Sequence, residues 1–190
     1  TWLFGQRFLS PWLAGVAAVL GCALPVGLKL MQHVMSDVML AVLCLWAALV
    51  WADYLREASV KKSLLWGCIA AAAILTKGSG ILLCALPPLA TVLAGRWRLI
   101  LAPAWWCAAL PVALLAGPWM IYSASISKEG MTDLTPRQYF VEAVPYYLDS
   151  IPFIFGWGIT LLAVIGAVSE LWKLLKNRTM TAETATLLAL

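Results

Sequence analysis

Apolar runs separated by short polar punctuation organise this chain. Trp12 to Leu28 is the first run, with a kink expected at Pro25, and Val38 to Ala52 is a shorter second. Leu64 to Leu75 and Ile81 to Ala94 are two half-length runs on either side of Thr76-Lys77-Gly78-Ser79-Gly80. Leu99 to Tyr122 and Ile151 to Trp172 are full-length runs, and Ala185 onward opens another. The half-length runs hold about 12–14 residues, or about 18–21 Å of helix at about 1.5 Å per residue. A hydrocarbon core is about 30 Å thick, so neither run crosses comfortably alone. The pattern predicts spans at 12–28, 38–52, 99–122 and 151–172, a split hairpin of 64–75 and 81–94, and one long outer loop at 123–150. The expected fold class is all-α, a polytopic transmembrane helical bundle. Pro103, Pro111 and Pro118 fall inside one span, where neighbouring helices can re-satisfy the carbonyls they free.

Composition agrees with a membrane chain. Hydrophobic residues make up 63% and charged residues 12%, about half the charged share of an ordinary soluble domain. The mean hydropathy is +0.90. The 11 tryptophans suit a protein with many interfacial anchors. The net charge of +4 comes from short loops, which reports topology and gives no sign of nucleic-acid binding. The cysteines (Cys22, Cys44, Cys68, Cys84 and Cys107) lie singly in apolar runs, as small buried hydrophobes do. The chain opens at Thr1 and closes inside an apolar run, so it is expected to be an internal piece of a longer polytopic protein, with 1–190 part of one transmembrane domain.

Basic residues orient the bundle. Arg7, Arg56/Lys61/Lys62, Arg96/Arg98 and Lys173/Lys176/Arg178 mark four loops that the positive-inside rule places in the cytoplasm. An even number of crossings must separate neighbouring pairs of these loops. The split pair must therefore reverse direction, and Lys77 turns at the outer side or within the bilayer. The connector 29–37 and the loop 123–150 then face outward with it. The Asn177-Arg178-Thr179 sequon falls on the cytoplasmic side and is discounted.

Three outward features carry candidate chemistry. If the connector is helical, Lys29, His33 and Asp37 share one face. A cation, an imidazole and a carboxylate placed there could bind a phosphate and move a proton. The plainer reading is a snorkelling helix end, which is weakest for Asp37, an acid opening a short apolar span. Lys77 sits in a glycine-rich turn that permits close approach of a ligand; its plainer reading is a lysine snorkelling outward. The segment is not a phosphate-binding Walker loop, because the GxxxxGK[ST] spacing is absent. In the long loop, Arg137 and Tyr146/Tyr147 could contact a sugar or phosphate, or the tyrosines could simply belong to an interfacial belt. A divalent metal is neither indicated nor excluded.

The order of these segments resembles a known family. Ser36-Asp37-Val38-Met39-Leu40 opens a span, and a basic loop follows. Ala73-Ile74-Leu75-Thr76-Lys77-Gly78 comes next, then an apolar run with Pro87-Pro88-Leu89, and then Gly117-Pro118-Trp119. Together they resemble the polytopic glycosyltransferases of the GT-C fold, in the branch of bacterial lipid A aminoarabinose transferases and protein O-mannosyltransferases. The resemblance implies transfer of a sugar from a polyprenyl-phosphate carrier to a lipid or protein acceptor outside a bacterial cytoplasmic membrane. It implies that Asp37 is a catalytic acidic residue, with Lys77 near the carrier phosphate. It also implies that the family's principal catalytic acid, in an earlier outer loop, precedes this chain. A transporter or flippase is the competing reading, since broken helices with an intramembrane ion are equally typical there. A non-catalytic assembly subunit is the third.

Overall fold

The computed structural model describes residues 5–7, 10–23, 36–127, 141, 145–146, 150, 156–177 and 181–190. Among these residues every regular element is helical. The elements are α1 (Pro11–Ala23), α2 (Ser36–Arg56), α3 (Val60–Thr76), a 3-10 helix (Gly78–Ala85), α4 (Leu86–Leu93) and a second 3-10 helix (Trp97–Leu101). They continue with α5 (Pro103–Trp106), α6 (Ala109–Pro111), a π-helical turn (Val112–Ala116), α7 (Gly117–Ser127), α8 (Trp157–Asn177) and α9 (Ala182–Ala189). Among the described residues, two helical stretches are long and apolar enough to cross a membrane, Ser36–Arg56 and Pro103–Ala124.

The second expected span, 38–52, is longer than its apolar run. Helix α2 continues to Arg56 because Tyr54 and Leu55 are fully buried and extend its packed face. Helix α3 runs antiparallel to α2. Ser59 begins it, the hydroxyl accepting the Lys62 amide at 3.3 Å, a side-chain cap for an otherwise unpaired donor. The α2–α3 interface is built from small residues. Ala47 and Ala48 meet a face carrying Ala70 and Ala73, all fully buried, and small side chains let helix backbones approach closely. Large residues such as Met39, Trp46, Leu65 and Leu75 point outward.

The split hairpin forms, but its second arm is not one α-helix. Residues 78–85 are a 3-10 helix and only 86–93 are α-helical. Pro87 and Pro88 explain the junction, because proline fits the first turn of a helix, where its missing N–H has no partner to lose. Gly95, at φ 68°, ends the arm. Its amide donates to the Val92 carbonyl at 2.9 Å, and the Arg96 amide donates to Thr91 at 3.0 Å. This paired reversal needs a left-handed residue, and glycine adopts that at no steric cost. The arm thereby returns to the end of the bundle where α2 stopped.

The expected span 99–122 is an interrupted column. Helices α5 and α6 and the π turn climb alongside α3. The Ser63 hydroxyl donates to the Trp105 carbonyl at 3.4 Å, and Ala116 packs with Ala71 and Ile74. The Gly117 amide bonds to Val112, five residues back. This wider turn directly precedes Pro118, whose ring would otherwise meet the Leu114 carbonyl. Helix α7 carries on to Ser127, into the expected outer loop. Helix α9 lies against α2 and α4, with Thr181 as its N-cap.

One end of the bundle is charged and cross-tied. Arg7 donates to both oxygens of Asp53 at 2.6 and 3.1 Å, and Arg56 pairs with the buried Glu183. The Lys62 ammonium donates to the Glu57 carboxylate at 2.8 Å and to the Asp53 and Glu57 carbonyls at 3.2 Å. Arg96 donates to the Leu55 carbonyl and, at 3.4 Å, to Arg56. Two cations thus cover carbonyls at the end of α2, where the helix dipole is negative. Arg7, the 56–62 connector and Arg96 therefore share one end, as the spacing of basic loops requires.

Candidate functional site

At the opposite end, Asp37 and Lys77 form an ion pair. Asp37 lies in the first turn of α2, where the helix dipole favours a carboxylate. Lys77 is the single extended residue between α3 and the 3-10 helix, at φ −156° and ψ 133°. Its amide still closes α3 on the Ala73 carbonyl at 3.1 Å, and its own carbonyl accepts the Gly80 amide at 2.8 Å. The backbone at Lys77 is therefore held on both sides while its side chain reaches across to α2. Thr76 is tied back by its hydroxyl to the Ala72 carbonyl at 2.8 Å.

Gly80 determines how tightly this turn closes. A methyl group there would lie 2.6 Å from the Ala73 carbonyl carbon and oxygen. Only glycine lets the 3-10 helix rest directly on the α3 backbone, and that contact keeps Lys77 within reach of Asp37.

Next to the pair is a cavity of about 250 Å³. Leu40 and Cys44, one and two turns along α2 from Asp37, form one wall. Gly80, Leu83 and Leu86 form another, and Leu190 of α9's end closes a third. The lining is mainly apolar. The arrangement is thus a half-exposed carboxylate–ammonium pair beside a greasy hollow.

Of the residues singled out from the sequence, the structure brings Asp37 and Lys77 together. Tyr146 is exposed, and its carbonyl accepts the Ser150 hydroxyl at 2.6 Å. Lys29, His33 and Arg137 lie outside the described residues. Among the described residues no group of three histidine, cysteine or acidic side chains is placed to hold a metal ion.

Sequence reasoning did not anticipate the hollow beside the pair, whose walls come from three elements far apart in the chain. It also missed Arg96 as the residue that covers α2's end. The Leu93-Ala94-Gly95-Arg96 stretch carried that signal, a glycine stop followed by a cation.

The chain matches no protein-family model, no curated protein and no solved structure.

Proposed function

We propose that this chain contributes the outer-face site of a membrane glycosyltransferase that takes a sugar from a polyprenyl-phosphate donor and passes it to a lipid or protein acceptor. The observation that carries the reading is the Asp37–Lys77 pair, whose chain neighbours Leu40, Ser79 and Gly80 line an apolar cavity, at the end remote from the arginine-rich one. By the positive-inside argument the arginine-rich end faces the cytoplasm, and the pair then faces the outside of a bacterial cytoplasmic membrane.

The chemistry follows from exchange of partners. A donor phosphate competes with Asp37 for the Lys77 ammonium, and the displaced carboxylate is free to accept a proton. The acceptor hydroxyl attacks the anomeric carbon while its proton passes to a carboxylate. The bond between that carbon and the phosphate oxygen breaks, and the electron pair leaves with the polyprenyl phosphate. A fixed cation is worth most at this point, where the leaving group gains charge. The apolar hollow suits the first isoprene units, and the remaining tail stays in the bilayer. Any further catalytic acid comes from outside these residues.

The test is sugar transfer by membranes carrying the full-length protein, with a radiolabelled polyprenyl-phosphate sugar as donor. Lys77→Ala should lower transfer by about 10²-fold or more, the usual loss when one preorganised stabilising donor is removed. Membrane insertion, read as resistance to carbonate extraction, should be unchanged. Transfer at the wild-type rate would remove Lys77 from the site. Orientation is tested separately with single cysteines and an impermeant thiol reagent. Position 77 should label from outside, and positions 61 and 97 only from inside.

A transporter or flippase is the second reading, favoured by the interrupted helices at 78–93 and 112–116. It predicts movement of intact lipid across vesicles with no consumption of donor.

A further inference from the structure

A second cavity lies on the other face of the 78–93 arm. Leu83 and Leu86 face the hollow beside Lys77, whereas Cys84 and Pro87 face this one. Its volume is about 300 Å³, and Trp66, Trp105, Ala109 and Ala113 complete walls that are almost wholly apolar.

Two observations bear on its occupant. First, the cavity is next to a shelf of exposed aromatic and aliphatic side chains. The Trp105 ring meets Trp106 at 4.9 Å, and the Trp106 indole donates to the Ile100 carbonyl at 2.9 Å. Trp97, Leu101 and Trp106 are each more than half exposed, the signature of a membrane-interface segment. Second, the same shelf carries Arg98, exposed over the Trp97 ring and, among the described residues, without a carboxylate partner.

We infer that this cavity binds one acyl chain of an anionic diacyl phospholipid, with the phosphate on the Arg98 side. The acyl chain runs inward past Cys84 and Ala113. This site sits towards the arginine-rich end and is separated from the Asp37–Lys77 hollow by the thickness of one helix. It is thus a lipid site distinct from the proposed donor site. It rests on the membrane placement argued above, and not on sugar transfer.

Cys84 is a built-in reporter. In a full-length variant that keeps Cys84 as its single cysteine, purified in detergent, a hydrophobic maleimide should modify Cys84. Phosphatidylglycerol at about ten times its Kd should slow that reaction about tenfold. Ala113→Trp, which fills the cavity, should abolish any lipid dependence of the rate. The unmodified chain should retain phosphatidylglycerol in native mass spectrometry, with less retained by Arg98→Gln, which removes the cation. This second readout needs no cysteine replacement. An unchanged Cys84 rate together with no retained phospholipid overturns the inference. Equal or better protection by polyprenyl phosphate also overturns it, and would assign the cavity to the donor's tail. Release of the chain by carbonate would overturn the membrane reading and this inference together. An integral chain with an empty cavity would overturn this inference alone.

Discussion

Replacing Gly80 with alanine should pry open the turn that holds Lys77 against Asp37. The added carbon would lie 2.6 Å from the Ala73 carbonyl carbon and oxygen and 2.8 Å from the Ile74 nitrogen. All three are backbone atoms, so no rotamer change relieves the contact. Non-bonded carbons settle at about 3.5–4.0 Å, so the 3-10 helix must retreat from α3 by about 1 Å. Overpacking of this kind costs about 1–3 kcal/mol. Gly78, in the same turn, provides the control. A methyl group there meets nothing within 4 Å, so Gly78→Ala should be neutral or stabilise by up to about 1 kcal/mol through the unfolded chain. Thermal unfolding of both purified variants in one detergent measures the difference. Crosslinking between cysteines placed at 37 and 77 measures the geometry. Gly80→Ala should lower the midpoint and weaken the crosslink, and Gly78→Ala should do neither. A Gly80→Ala protein as stable as wild type with an undiminished crosslink would refute the close-approach argument. Equal damage from the two substitutions would refute it as well.

Other outcomes follow from the two ends of the bundle. Asp37→Asn should impair sugar transfer while Asp53→Asn leaves it intact, because Asp53 is engaged with Arg7 at the far end; equal effects on transfer would count against the assignment of the ends. Arg96→Met should destabilise the protein by about 1.5–3 kcal/mol, since it removes charge-assisted bonds to the last carbonyls of α2; an unchanged unfolding midpoint would show that water or another cation replaces it. The hydrogen bond from Lys62 holds the Glu57 carboxyl below its ordinary range. Its folded-state value is therefore lower than its unfolded one, and the stabilising contribution is complete above the unfolded value and fades as pH falls through the folded one. A carboxyl titration of Glu57 should shift upward in Lys62→Met, and an unmoved titration would mean that the pair does not persist in solution.

The lengths of the apolar runs and the positions of basic residues already made the chain helical, already placed a reversal at Lys77, and already marked Asp37 and Lys77 as costly charges beside apolar helices. Those features are local. Hydropathy sums along the chain, and proline and glycine act on their own backbone. Even so, the local reading misjudged some elements. It noted the prolines in 81–94 and 99–122 but did not foresee the 3-10 and π-helical stretches there. Apolar content does not distinguish α-helix from 3-10 or π-helix, which depend on how a segment meets its neighbour. The Asp37–Lys77 pair closes a separation of 40 residues, and the Arg96–Leu55 contact closes one of 41. Run lengths alone do not determine such contacts, because they depend on which helix faces touch, and small buried residues such as Ala48, Ala70 and Gly80 decide that through backbone approach. Both cavities arise in the same way. Each is a gap left where segments distant in sequence converge without filling the space, and its shape exists only after the helices have packed.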